Sequence, residues 1–314
     1  MSSLPIIAVI GSTGAQGGGL VRAILADSAR KYSARAITRK PDSPAARELA
    51  AKGAEVLAGD LDDAASVERA IKGAHGLYAV TNFWEHFSAE REIAQAGNIA
   101  RAAKNAGIKH VIWSTLEDTR LRVPLSDARM PTLMQRYKVP HFDAKGEANA
   151  LFKGLPATLF NTSFYWDNLI HFGMGPKRGA DGVLNFLLPM GKRKLPGMAV
   201  ADIGACAYGI FKRGSDFIGR SIGVAGEHLT GAEMAAALSK ALGEPVRHAD
   251  MPHAAYAKLG FPGADDLANM FQYNHDFADE FCAARPIALS RELNPGLQTF
   301  ERWLAVNGSR IPRA

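Results

Sequence analysis

The stretch HFDAK, residues 141–145, places the imidazole of His141 and the amine of Lys145 four residues apart. On a helix that spacing puts both side chains on one face, a turn from each other. Many nicotinamide-dependent reductases use the same spacing with Tyr in the first place. The phenol exchanges a proton as hydride moves, while the Lys lowers the phenol's pKa and holds a ribose. Here the amine is kept and an imidazole stands where the phenol would be. Either His141 is the general acid, since an imidazole can carry a proton near neutral pH, or it only completes a hydrogen-bonded helix start. Tyr137 lies eight positions before the lysine, two turns away, and is a poor substitute. Ser114 has the place of a helper serine but no tyrosine to help.

Reductases of that kind bind a dinucleotide, and the amino-terminal end offers a place for one. The apolar run PIIAVI leads into GSTGAQGGG, in which Gly11, Gly14 and Gly17 form G-x-x-G-x-x-G. One glycine turns the chain sharply out of a strand, another lets the backbone approach a pyrophosphate, and a third lets the helix pack closely. The helix amides and their partial charge of about +0.5 then face the phosphates. Such a loop is informative only between a strand and a helix, and that is its context here. At the end of the second strand an NAD site carries Asp or Glu for the ribose hydroxyls. This chain has TRKP, with Arg39 and Lys40 and no acid until Asp42. A guanidinium fork matches a 2′-phosphate and Lys40 adds a point charge, so NADP is expected over NAD. Asp60, with Leu61 beside it, reads as an adenine contact or as the cap of the next helix. Thr81, Asn82 and Phe83 close the fourth strand, at the edge where ligands bind in open α/β sheets.

The elements that must position these groups follow from the hydrophobic pattern. Strands are expected over 5–11, 34–39, 54–60, 76–82 and 109–115, each an apolar run without clean alternation. Helices are expected over 17–27, 43–53, 64–72 and 89–107. Regular alternation of buried strands with helices implies an α/β fold, a Rossmann doubly wound parallel sheet. Residues 116–142, with Pro124, Pro131 and Pro140, read as irregular; a helix over 142–153 then carries Lys145, and a strand spans 157–163. Beyond that the alternation fades into strands at 182–189 and 221–226, helices at 199–213 and 230–243, and two or three more helices. The expected organisation is a Rossmann domain over 1–160 and a smaller carboxyl-terminal α+β lobe over 161–314, with an interleaved boundary. The segment GFPGADDLANMF (260–271) is expected to fold against the cleft, with Phe261, Met270 and Phe271 in the lobe core. His248 and His253, five apart, are off the one-face spacing of helical metal ligands, and no metal site is expected.

The chain has 314 residues, 47% hydrophobic and 22% charged, in the range of an ordinary soluble globular protein. Cys206 and Cys282 are too few for a disulfide framework. No apolar run reaches the ~18 residues of a membrane span, and the first residues lack the basic stretch of a signal peptide. A cytoplasmic location is expected, with access to the nucleus left open. The net charge of +6 is dispersed, its densest knot being Lys192 to Lys194. Without an Arg-rich arm, zinc finger or RNP-like motif, direct nucleic-acid binding is not expected. A phosphate-bearing ligand accounts for the positive balance as well.

Taken in order, GSTGAQGGG, TRKP, VTNFWE, HFDAKGE, YWDN and GFPGADDLANMF resemble the NmrA-like proteins, a branch of the atypical short-chain dehydrogenases. The likeness runs through nearly the whole chain and is weakest across 120–140, where this chain carries extra residues. It implies NADP(H) binding, with loop contacts at Gly11, Ser12, Thr13, Gly14, Ala15 and Gln16 and 2′-phosphate contacts at Arg39 and at Lys40 to Ser43. It further implies an adenine contact at Asp60 and Leu61, strand-edge contacts at Thr81, Asn82 and Phe83, and a nicotinamide-ribose contact at Lys145. Tyr165, Trp166, Asp167 and Asn168 match a stretch near the nicotinamide. Several members act as sensors or regulators of transcription-factor or signalling partners. The expected function is therefore an NADP(H)-binding redox sensor working through a protein partner. The alternative is an NADPH-dependent reductase of quinones or other electron-poor small molecules.

Overall fold

The computed structural model describes residues 4–313. Its first half runs β1 (Ile6–Ile10), α1 (Ala15–Leu25), β2 (Ser33–Thr38), α2 (Pro44–Ala51), β3 (Glu55–Ala58), α3 (Ala64–Ile71), β4 (Gly76–Ala79), α4 (Ala89–Asn105), β5 (His110–Thr115), α5 (Pro140–Ala148) and β6 (Ala157–Asn161). The helix starts are written in the sequence. Ser43 accepts from the Ala46 amide ahead of Pro44, and Ser88 accepts from Arg91 N at 3.1 Å to open α4.

The second half supplies β7 (Phe164–Tyr165), α6 (Asn168–His171), β8 (Lys177–Arg178), β9 (Leu184–Leu187), β10 (Lys194–Met198), α7 (Val200–Lys212), β11 (Ser221–Gly223), β12 (Glu227–Thr230), α8 (Gly231–Leu242), β13 (Val246–Ala249) and α9 (His253–Tyr256). It ends with α10 (Ala264–Asp276), α11 (Ala278–Ala283), α12 (Ile287–Leu293) and α13 (Phe300–Asn307).

Seven parallel strands form one sheet in the order β11-β6-β5-β4-β1-β2-β3. The strand order reverses between β1 and β4, and in such sheets the ligand crevice opens at the carboxyl ends beside that switch point. One apolar core lies on each face of the sheet. The first packs β1 and β2 against α1 and α7, and the second packs β1, β4 and β5 against α3 and α4. A third core fills the lobe around Trp166, Phe300 and Trp303, which is built on the small sheets β12-β10-β7 and β13-β9-β8.

The two units share the chain. Helix α7 lies against α1 so closely that a Cβ at Gly19 would meet the Val200 and Ala201 carbonyls at 3.3 Å, and one at Gly204 would strike the Gly19–Leu20 backbone. Strand β11 then joins the large sheet beside β6. Residues 200–223 thus belong to the Rossmann layers although they follow the first lobe strands. Strand β10 was not expected, because its Pro196 and Gly197 break the strand pattern that sequence reading relies on. Phe261 is a correction: it is 39% exposed, whereas Met270 and Phe271 are buried. Gly260 and Gly263, at φ of +78° and +79°, turn the chain on either side of it at the surface. His248 Nε2 and His253 Nε2 donate to the Leu188 and Pro189 carbonyls at 2.9 Å, which gives both rings a structural role. No helix among the described residues is long and apolar enough to cross a membrane.

Candidate functional site

The glycine loop leaves β1 at Gly11, whose φ of +65° favours a residue without a side chain. Gly14 N donates to Gly11 O at 2.9 Å, and a Cβ at Gly17 would sit 2.5 Å from that same oxygen. The turn therefore accepts only glycine at its third position. Helix α1 starts at Ala15, two residues earlier than expected, with Gly14 as a cap that supplies no side-chain acceptor. Its first-turn amides are left to an external anion. Thr13, Gly14 and Ala15 are exposed, whereas Ser12 is buried and directs both its amide and its hydroxyl to Ile37 O. Ser12 anchors the loop to β2, and its neighbours form the open face. That geometry fits a pyrophosphate.

On the β2 side, Arg39 and Lys40 are exposed just past the strand. Arg39 forms an ion pair with Glu85, which lies in a single 3-10 turn (Phe83–Glu85) after β4. Asp60 is exposed and accepts from Asp62 N at 3.0 Å, while Asp63 caps α3. Asp60 is thus free of the helix cap it could have formed, and half-buried Leu61 stands next to it.

On the β4 side, Lys145 is buried and fully engaged. Its ammonium donates to Thr81 O at 3.1 Å and Thr81 Oγ1 at 2.8 Å, and it pairs with Glu92 Oε1 at 2.7 Å. Thr81 in turn donates its hydroxyl hydrogen to Glu92 Oε1 at 2.6 Å. The ammonium thus makes two hydrogen bonds and one ion pair. A ribose hydroxyl at Lys145 must exchange with one of these partners. Glu92 has no exposed surface, and its second oxygen faces only His86 Nε2, at 3.5 Å. His86 Nδ1 accepts from Ser88 N, so Nε2 carries the hydrogen, yet neither Nε2 nor Glu92 Oε2 completes a hydrogen bond. Asn82 is exposed, whereas Phe83 is buried beneath Trp84 and Tyr137.

One turn before Lys145, His141 lies on α5, which starts at Pro140 rather than Phe142. Asp143 makes the earlier start by accepting from the Lys138 and Val139 amides at 2.7 and 3.0 Å, and it also ties down Thr119. His141 donates its own amide to Asp266 Oδ2 at 3.1 Å, and its Nδ1 lies 2.7 Å from Asp266 Oδ1. A carboxylate only accepts, so Nδ1 carries the hydrogen. Asp266, on α10, is 3% exposed. His141 Nε2, on the far side of the ring, has no protein partner among the described residues and is not sealed from solvent. The ring lies 4.6 Å from that of Trp84. The His141 amide thus completes the helix start, and Asp266 holds its ring in one tautomer, with no protein partner for the opposite nitrogen among the described residues.

Between the two sides, Gln16 collects hydroxyl groups. It donates to Tyr165 OH at 2.5 Å and accepts from Ser114 Oγ at 2.7 Å and from Tyr78 OH. Burial pushes both phenols above the ordinary tyrosine range. Tyr137 is buried with its hydroxyl unpartnered, below the guanidinium groups of Arg120 and Arg136. Of the four residues 165–168, only Tyr165 reaches this cluster. Trp166 is buried in the lobe core, Asp167 accepts from Val200 N at 2.9 Å to start α7, and Asn168 opens α6.

Sequence reading missed Tyr78, Glu85, Glu92 and Asp266. Glu92 had a visible signal: with Ala89, Ala96 and Ile99 it occupies the buried face of α4, and a charge on an apolar helix face asks for a partner. Asp266 lies in the segment 260–271 expected against the cleft, but 125 residues separate it from His141 and nothing marked it as that ring's partner.

Known proteins share this fold. The NmrA-like family model matches residues 5–304. The oxidoreductase FrzB from Cladobotryum sp is 28% identical, covering 90% of this chain and 87% of its own. An NAD(P)H azoreductase from Xenophilus azovorans is 27% identical over 84% of each chain. The negative transcriptional regulator NmrA shares the fold in its complexes with NADP (TM-score 0.75, 23% identity) and with NAD (0.78, 24%), each covering 97% of this chain and 95% of that one. With a Rossmann sheet, a glycine loop and the HFDAK helix in place, this chain belongs to the NmrA-like family.

Proposed function

We propose that the chain is an NADP(H)-dependent reductase of electron-poor small molecules in which His141 delivers the proton. The observation that carries this is the buried Asp266–His141 pair, with Nδ1 engaged and Nε2 open. In the imidazolium form, Nε2–H is the donor to the acceptor molecule. Asp266 stabilises that charge and keeps the ring from turning, which is the arrangement general acid catalysis needs. The glycine loop, Arg39, Lys40 and Lys145 are the residues that would hold the dinucleotide, and a reduced nicotinamide supplies hydride when bound. Trp84 gives the proton donor an aromatic wall, which suits flat acceptors such as quinones. Relatives named as oxidoreductase and azoreductase support the reading.

The test is the near-ultraviolet absorbance of NADPH with purified protein and a panel of quinones, enones and imines. Protein-dependent loss is expected, falling about 10²-fold in His141→Asn, which keeps a donor for Asp266 but has no proton to give. Bound NADPH with no loss across the panel would sink the reductase and leave the sensor.

The sensor reading rests on a different observation. Thr119 and Asp118 are packed on α5 through Asp143 and Gly146, so the irregular segment after β5 is fastened to the helix carrying Lys145. That segment exposes Leu121 (85%), Leu125 and Met134, apolar surface for a protein partner. A sensor must favour different conformations with different ligands. Protease digestion around 116–139 should then differ between NADPH and NADP+, and identical digestion would remove this reading.

A further inference from the structure

The ion pair between Arg39 and Glu85 joins two places that do not adjoin in the sheet. Arg39 follows β2 and Glu85 follows β4, with β1 and its glycine loop between them. The pair therefore crosses the carboxyl edge of the sheet at the loop where a dinucleotide lies. Both partners are half exposed, at 54% and 40% of their side-chain surface. Neither has a second ion pair among the described residues, although the Arg91 guanidinium also feels the Glu85 charge.

We infer that Glu85 is a specificity-determining residue: it competes with the cofactor's 2′-phosphate for Arg39, and so holds down the preference for NADP over NAD. This rests on the dinucleotide-binding reading above. It is independent of whether any acceptor is reduced. A guanidinium presents one best fork. With NAD, Arg39 keeps Glu85 and the bridge across the loop persists. With NADP, the phosphate must take the fork from Glu85, and the freed carboxylate stays near a dianion. The basic pair Arg39–Lys40 therefore yields a weaker NADP preference than its charge alone implies.

Direct titration of NADPH and NADH by their fluorescence on the full chain, with no acceptor present, tests this. Glu85→Gln is expected to tighten NADPH about three- to tenfold, as for an exposed charge pair, and to leave NADH within about twofold. Arg39→Gln weakens NADPH and spares NADH, and in that background Glu85→Gln loses its effect. The inference is overturned by an unchanged NADPH-to-NADH ratio in Glu85→Gln, or by equal tightening of both cofactors. Full retention of the Glu85→Gln effect without Arg39 also overturns it, because Glu85 would then act through its field and not by competition. Unaltered protein that binds neither cofactor overturns this inference together with the dinucleotide reading. Binding without turnover overturns the reductase alone.

Discussion

Both sides of the groove hold a basic residue against a carboxylate from an element the sequence places far away, and burial separates them. Arg39 and Glu85 keep 54% and 40% of their side-chain surface in solvent. Lys145 and Glu92 keep 11% and none. An exposed pair contributes about 0–1 kcal/mol and can trade partners with a ligand. A buried pair has been stripped of water, so each charge depends on the other. The β2 side is thus suited to selecting among anions, and the β4 side to holding one ammonium in one place.

The sharpest way to break this comparison is to delete each acid. Glu92→Ala leaves a buried ammonium with only Thr81 and should cost about 3–5 kcal/mol of folding stability. Glu85→Ala should stay within about 0.5 kcal/mol. Urea denaturation of both variants measures the difference. Lys145→Met combined with Glu92→Leu removes both charges and should recover most of the loss. Equal, small costs would show that burial does not distinguish the pairs.

A second test concerns the other buried acid. Asp266→Asn keeps one acceptor for His141 but removes the charge that stabilises the imidazolium. For the proposed reductase, kcat should fall about 10²-fold with KM little changed, and NADPH affinity should stay near that of the unaltered protein. A loss of NADPH binding would instead make Asp266 a part of the cofactor site.

The same contrast explains what the sequence could tell. Local signals were legible: Gly11, Gly14 and Gly17 in one loop, the buried run IIAVI, and Arg39 at the end of β2. HFDAK showed that His141 and Lys145 share a helix face. What each of them touches was not legible, because Glu92 and Asp266 come from α4 and α10, and only the folded sheet and lobe bring them in. Trp166 shows the opposite failure: it matches a site motif in sequence, yet its ring closes the lobe core against Phe300 and Trp303. Strand β10 was hidden by Pro196 and Gly197. Gly197 is needed there because a Cβ would lie 2.5 Å from Trp166 Nε1.

The smallest effect sharpens the comparison through salt. Screening shortens the reach of exposed charges from about 10 Å at 0.1 M to about 3 Å at 1 M. NADPH affinity should therefore weaken several-fold over that range by titration, and NADH affinity less, since only NADPH carries the 2′-phosphate. In the unaltered chain Arg39 exchanges one anionic partner for another, and salt weakens both. In Glu85→Gln it gains the phosphate without losing a carboxylate. The fall of the NADPH-to-NADH ratio with salt should therefore be steeper in Glu85→Gln than in the unaltered protein, and shallowest in Arg39→Gln, where only Lys40 remains. A ratio that ignores salt in all three would mean that the phosphate is not held by Arg39, whatever holds the rest of the dinucleotide.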